Sequence, residues 1–303
     1  MQSDNLSAPL TANLFAKIVA VENIASRLLP ALGQGFMRPK LKRGLAMKLA
    51  RRPLIMRNEE PLVSFTFDDF PRSALLEGGR ILGSYGQKGT FFASFGLMGS
   101  SGPTGDIFSV DDVREVIRQG HELGCHTYDH YHAWDTAPSE FQASIVRNRE
   151  ALEKYLPGTS FRNLSYPISC PRPRTKRIIS ASFDCCRGGG QAFNAGALDL
   201  NFLKAFFLEQ ARNDFDLIVR LIEANNREKG WLIFATHDVS ETPTEFGCTP
   251  AFFEKVVRHS SYSGAKVLTI CKALERIRGS KPRRSAASHS RSELQASDVK
   301  SAA

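Results

Sequence analysis

The stretch "SFTFDDF", Ser64 to Phe70, decides the fold. Its front half belongs to Leu62–Phe67, a short β-branched and aromatic run after Pro61 that reads as a buried strand. Its back half places two carboxylates side by side at the strand's end, where burial of even one charge is costly without a partner. The pair therefore asks for a structural reason, and the rest of the chain supplies candidates.

Outward from this strand the pattern repeats. Candidate strands are Leu62–Phe67, Thr90–Phe95, Gly124–Thr127, Asn163–Tyr166, Lys204–Leu208, Trp231–Thr236 and Lys266–Ile270. Segments of helical composition alternate with them: Arg72–Tyr85, Ser109–Gln119, Pro138–Tyr155, Pro173–Ser180, Asp214–Lys229, Pro250–His259 and Cys271–Arg278. Such regular alternation marks βαβ units and a parallel sheet, open or closed into a barrel.

In an α/β barrel the functional side chains project from the C-terminal ends of strands. Three candidate strands end in ionisable groups: Asp68-Asp69, the "HTYDH" of His126 to His130, and His237. His126 and His130 stand at i and i+4, a spacing that on a helical turn puts both on one face around one metal ion. Singly, each feature has an ordinary reading: a strand-end turn or helix cap for the aspartates, a hydrogen-bonded histidine elsewhere. Jointly they compose two histidines and a carboxylate, a set that binds catalytic zinc and leaves a position open for water. One aspartate would then ligate while its neighbour stays free as a base.

The chain has 303 residues, 42% hydrophobic and 23% charged, the balance of a globular protein rather than a disordered or fibrous one. Its formal charge is +9, and no acidic residue occurs between Glu22 and Glu59, so the excess is concentrated N-terminally. Apolar residues Leu14, Ile18, Val21, Ala25 and Leu28 recur at helical spacing between Leu10 and Leu29. Residues 10–57 are thus expected to cap the main body, with peripheral membrane contact as an accessory role. Nucleic acid is not an expected partner, because residues 37–57 contain only Leu, Ile, Met and Ala as apolar partners for the basic charge, with no aromatic among them. The six cysteines form no CxxC pair and read as reduced thiols. No run reaches the roughly 18 apolar residues of a spanning helix, and no signal peptide is recognised, so a cytoplasmic location is expected. Three regions follow: an N-terminal helical and basic extension over 1–60, a main domain over 61–278, and a Ser/Ala-rich tail over 279–303 that reads as disordered.

Read in order, "TFDD" (Thr66–Asp69), "HTYDH" (His126–His130), "YP" (Tyr166-Pro167) and "FATHDV" (Phe234–Val239) resemble the polysaccharide deacetylase family, carbohydrate esterase family 4, including the nodulation-type chitooligosaccharide deacetylases. The resemblance implies an irregular (β/α) barrel of about seven strands and hydrolytic removal of N-acetyl groups from an amino-sugar glycan. It also implies one divalent metal, zinc foremost with cobalt or nickel admissible, held by Asp69, His126 and His130. Asp68 would be the general base and His237 the general acid. Tyr166, Pro167 and Ile168 would line the substrate and oxyanion side, with the Ile168 backbone N–H as the oxyanion donor.

Two departures from the family pattern stand out. The third motif usually carries an arginine that pairs with the catalytic aspartate, and here Ser165 precedes Tyr166-Pro167. Arg162, Arg72, Arg187 and Lys204 are candidate replacements, with Lys204 the one expected. The fourth motif, which orients the acid histidine, is not recognisable; Asp184 and Asp199 are candidate orienters. The missing arginine also motivates a second reading, a carbohydrate-binding protein with the same barrel and little turnover.

Overall fold

Each strand of the barrel is short and bounded by turns, and each is followed by a helix or a rim loop. The computed structural model describes residues 39–279, apart from Ser169 and Gln191. The expected helix over Leu10–Leu29 and the tail lie outside the described residues. The barrel strands are β1 (Leu62–Phe67), β2 (Thr90–Ala93), β3 (Glu122–Cys125), β4 (Asn163–Ser165), β5 (Cys185–Arg187), β6 (Phe206–Phe207) and β7 (Trp231–Thr236). All are parallel, in the spatial order β6-β7-β1-β2-β3-β4-β5. Lys266–Val267 pairs with the lower end of β1, beside Leu62 and Val63. The two edges approach at Leu203, whose backbone bonds to Cys186 and Gly188 on the far side of β5 at 2.8 and 2.9 Å. The architecture is therefore the expected irregular barrel of seven strands.

The alternation in "SFTF" sorts its residues to two faces. Phe65 and Phe67 pack against Phe253 of the helix Pro250–Tyr262, with ring centroids 5.6 Å apart in both cases. Ser64 and Thr66 face the other way and are fully buried. Their hydroxyls are satisfied there: Ser64 Oγ donates to Leu268 C=O at 2.7 Å and accepts from Trp231 Nε1 at 3.0 Å, and Thr66 Oγ1 donates to Phe234 C=O at 3.0 Å. Burying these polar groups is tolerable because each is paired.

Among the described residues the helices are α1 (Pro39–Lys48), α2 (Arg80–Ser84), α3 (Val110–Arg118), α4 (Pro138–Tyr155), α5 (Pro173–Ile179), α6 (Phe215–Arg227), α7 (Pro250–Tyr262) and α8 (Ile270–Gly279). Several expected boundaries shift. The helix expected over Arg72–Tyr85 begins as a π-helical turn, Ala74–Gly79, before α2. The strand expected over Lys204–Leu208 is reduced to β6, and Leu208–Ala211 is a 3-10 turn. β5 is not among the expected strands, because its three residues Cys-Cys-Arg lie beside a glycine-rich stretch with no visible alternation. All six cysteines are buried. Among the described residues no helix is long and apolar enough to cross a membrane.

The basic segment before the barrel is firmly docked. Lys176, fully buried, donates to the α1 carbonyl of Ala46 at 2.6 Å, to Leu49 C=O at 2.8 Å and to Asp199 Oδ2 at 2.8 Å. A buried ammonium requires this degree of satisfaction. Arg52 then bonds the carbonyls of Ser180, Phe183 and Asp184, and Pro53–Ile55 pairs antiparallel with Ala197–Asp199.

Candidate metal centre

At the end of β1 the chain does something strands avoid. Asp69 and Phe70 both have positive φ, +61° and +55°. For non-glycine residues, and above all an aromatic one, that conformation costs on the order of 1–3 kcal/mol each. Phe70 offsets the cost by complete burial, stacked on Phe108 at 4.9 Å and against Phe91 at 5.0 Å. Phe70 is thus an anchor in the core. The consequence of the left-handed turn is that two consecutive aspartates serve two separate partners.

Asp69 faces the histidines. Its Oδ1 lies 2.9 Å from His130 Nε2 and 3.4 Å from His126 Nε2, while Thr104 Oγ1 donates to Oδ2 at 3.1 Å. The candidate ligand atoms of Asp69, His126 and His130 all lie within 4.8 Å of one another. His126 Nδ1 lies 2.9 Å from Ser165 C=O, so that nitrogen carries the hydrogen and Nε2 presents a lone pair to the carboxylate. Oδ1 of Asp69 is buried and accepts no hydrogen bond. A lone pair aimed at an unsatisfied carboxylate oxygen is an arrangement that a cation between them resolves. Ligands on a tetrahedral ion with bonds of about 2.0–2.1 Å stand about 3.3 Å apart, close to the separations seen here. The residues present therefore fit a divalent metal.

The histidine pair is not on a helical turn, contrary to the sequence expectation. His126 follows β3 directly, and Thr127 and His130 have φ of +61° and +53°, so an irregular loop folds one imidazole back onto the other, with ring centroids 5.1 Å apart. Ser144 of α4 holds this loop: its Oγ accepts from Tyr128 N at 3.0 Å and Asp129 N at 3.1 Å and donates to Asp129 at 2.6 Å. Gly96 permits the close approach, since a Cβ there would lie 2.4 Å from Tyr128 O.

Asp68 faces the barrel interior and is paired with Arg187, whose Nη2 donates to its Oδ1. Burial would raise the Asp68 carboxyl, and the Arg187 guanidinium outweighs it, so the group is held below the usual carboxylate range and stays ionised. The same Nη2 also donates to Ser165 Oγ, and Ser165 and Arg187 are register partners on β4 and β5. The guanidinium is 1% exposed and lies over the rings of Phe92 and Phe207 at 5.1 and 5.4 Å.

This corrects the expectation for Lys204. Its backbone N–H and C=O pair with the Asn194 side chain at 2.9 Å each, its stem packs against Gly190, and it makes no bond to Asp68. The neighbouring strand supplies the cation at the level where β4 carries only a serine.

His237 follows β7. Both its backbone N–H, at 3.3 Å, and its Nδ1, at 3.1 Å, meet Phe246 C=O, which leaves Nε2 for the site. Neither expected orienter is near it: Asp184 pairs with Arg162 and Arg278, and Asp199 with Lys176. A carbonyl takes the place of a carboxylate because the loop after His237 folds back on Asp238, which accepts from Thr244 N at 2.8 Å and Thr244 Oγ1 at 2.5 Å. Phe207 stacks on the imidazole at 6.1 Å and Phe246 meets it edge-on at 5.5 Å, forming an apolar wall.

Of the three residues expected on the oxyanion side, the structure separates the roles. Tyr166 is a core residue, 3% exposed, its hydroxyl donating to Asn201 C=O at 3.1 Å. Pro167 C=O accepts from Ala133 N at 3.3 Å, which ties this loop to the one carrying His130. Ile168 is 52% exposed with φ +46°, on the rim.

Residues 56–182 match the family described as polysaccharide deacetylase, a span that contains Asp68, Asp69, His126, His130 and Ile168 and stops short of Arg187 and His237. No curated protein matches the chain. Among solved structures, the chain is similar to the family 4 esterase domain of a multidomain xylanase from the hindgut metagenome of Trinervitermes trinervoides, at 18% identity and TM-score 0.51, covering 72% of this chain and 91% of that one. It is similar to a T48 deacetylase solved with substrate, at 18% identity and TM-score 0.51, covering 71% and 92%. It is also similar to a family 4 pseudoenzyme from Bacillus anthracis, at 14% identity and TM-score 0.50, covering 72% and 66%. At these identities the likeness is one of fold.

Proposed function

We propose, on the premise that this chain belongs to the polysaccharide deacetylase family, that it is a metal-dependent hydrolase that removes N-acetyl groups from amino-sugar oligomers, chitooligosaccharides foremost. The observation that supports it best is the division of labour at the end of β1: Asp69 faces two histidines while Asp68, one residue away, is held ionised by Arg187.

A divalent metal held by Asp69, His126 and His130, zinc foremost, would supply Lewis-acid activation of water and of the amide carbonyl. Asp68 then takes the proton that water gives up as it adds to the carbonyl carbon. The Ile168 N–H, with no acceptor among the described residues, would donate to the oxygen that gains charge. As the carbon–nitrogen bond breaks, His237 Nε2 delivers a proton to the departing amine, leaving acetate and a free amino sugar. Phe207 and Phe246 keep water from the face of the imidazole. The binding-only reading was motivated by the missing arginine, and the pairing of Arg187 with Asp68 supports turnover instead.

The test is acetate release from N-acetylglucosamine oligomers by the full chain, with metal content measured in parallel. We expect one divalent ion per chain, lost in His126→Ala together with activity. Asp68→Asn should keep the metal and lose acetate release by about 10²–10⁴-fold. A metal-loaded protein that releases acetate from other acetylated glycans but not from these oligomers would overturn the substrate. Release from none would overturn the activity.

A further inference from the structure

Helix α1 lies outside the matched family segment, yet it touches two loops of the active-site rim. Lys42 Nζ bonds Asp135 at 3.0 Å and lies 5.7 Å from the Trp134 ring, in the loop that continues from His130. The next residue, Arg43, reaches the loop after β5: its Nη2 lies 3.7 Å from the point a Cβ on Gly189 would occupy. That same point is 3.5 Å from the ring of Phe207, which stacks on His237 and covers Arg187. Arg43 therefore stands one residue's width from the wall of the acid histidine, held there by the buried Lys176 that caps α1.

Among the described residues the charge of Arg43 is uncompensated. No described carboxylate pairs with it, Asp135 is taken by the adjacent Lys42, and no acidic residue occurs between Glu22 and Glu59. Asp68 and Asp69 are committed to Arg187 and the histidines. Arg43 is exposed, permanently charged, and offers the planar fork of donors that matches a carboxylate or phosphate in two parallel bonds. An exposed guanidinium usually contributes little on its own; this one rises from a helix that Lys176 docks beside that wall, on a chain of net charge +9.

We infer that Arg43 forms a subsite for an anionic group, carboxylate or phosphate, on the sugar next to the one deacetylated, so that the preferred glycan is acidic. The inference rests on the deacetylase reading above and deepens it. The N-terminal extension is then a wall of the substrate groove.

Two measurements on the full chain test it. Equilibrium binding by calorimetry uses three probes: chitotetraose, a hyaluronan tetrasaccharide, in which N-acetylglucosamine alternates with a uronate, and N-acetylglucosamine 1-phosphate. Wild type should bind one of the acidic probes at least about tenfold tighter than chitotetraose, the carboxylate and phosphate arms telling which anion is read, and the preference should fall with added salt. Arg43→Glu should lower the acidic-to-neutral ratio about tenfold or more, Arg43→Lys should restore part of it, and Arg80→Glu, a surface control paired with Glu77, should leave it in place. Acetate release from chitotetraose and the tetrasaccharide should show the same shift as a change in KM rather than kcat. A ratio unmoved by Arg43→Glu overturns the subsite, whether or not acetate is released; absence of release with the binding preference intact overturns the deacetylase reading and leaves the subsite standing.

Discussion

Arg187, at the end of β5, donates to Asp68, at the end of β1, across the barrel interior, passing the Ser165 hydroxyl on the way. The cation that keeps Asp68 ionised lies one strand over from the position where the resemblance leads one to expect an arginine. Because β4 and β5 are parallel and in register at Ser165 and Arg187, a small residue on one strand makes room for a long one on the other.

Removing that guanidinium should be expensive twice. Arg187→Met leaves a buried, unpaired carboxylate, with an expected loss of about 3–5 kcal/mol in denaturant unfolding and a fall in turnover of about 10²-fold. Exchanging the pair, Ser165→Arg with Arg187→Ser, should recover at least about tenfold of the turnover lost in Arg187→Ser alone. An exchange that recovers nothing would show that Arg187 does more than supply a cation to Asp68.

The tautomer of His237 depends on a loop clamp. A Cβ on Gly247 would stand 2.2 Å from Asp238 Oδ1 and 2.6 Å from Asp238 O, so Gly247→Ala must shift the loop that carries the Phe246 carbonyl. We expect a stability loss of about 1–3 kcal/mol and a drop in turnover of about tenfold or more with metal content retained. The ¹⁵N shifts of the His237 ring should show Nδ1 losing its fixed proton. Unchanged ring shifts alongside reduced turnover would mean that Phe246 does not set the tautomer.

Glu209 gives a pH signature in stability. Burial, reinforced by the Asp68 charge, pushes its carboxyl up to about 7, from 4.5 when free. The folded state therefore holds a proton that the unfolded chain has released between those values, and the contribution of this group to stability falls as pH rises through that window. Glu209→Gln stays neutral throughout. Its thermal midpoint should match wild type near pH 4.5 and exceed it at pH 8, by the equivalent of about 1–3 kcal/mol. An equal offset at both pH values would show that the carboxyl is not the source.

The candidate site was readable wherever it consists of residue types at strand ends. Asp68-Asp69, His126, His130 and His237 each follow an apolar run, and the reading needs only that a charge at the end of a buried strand must be held by something. What was misread depends on neighbours distant in sequence. Tyr166 sits in a motif, yet Asn201 draws its hydroxyl into the core. Lys204 had the right charge, but charge says nothing of strand register. His126 and His130 have helical spacing, but left-handed Thr127 and His130 bring them together by a loop.

By itself, then, the sequence determined the alternation of strand and helix, the order of the motifs and the identity of the ionisable groups, because these follow from periodicity and from the cost of burying charge. Only the tertiary structure decided which of two adjacent aspartates turns to the two histidines, which cation serves the other, and what orients His237. Those choices are made by parallel register, by the left-handed turn that Phe70 anchors, and by a backbone carbonyl whose position no side-chain pattern records.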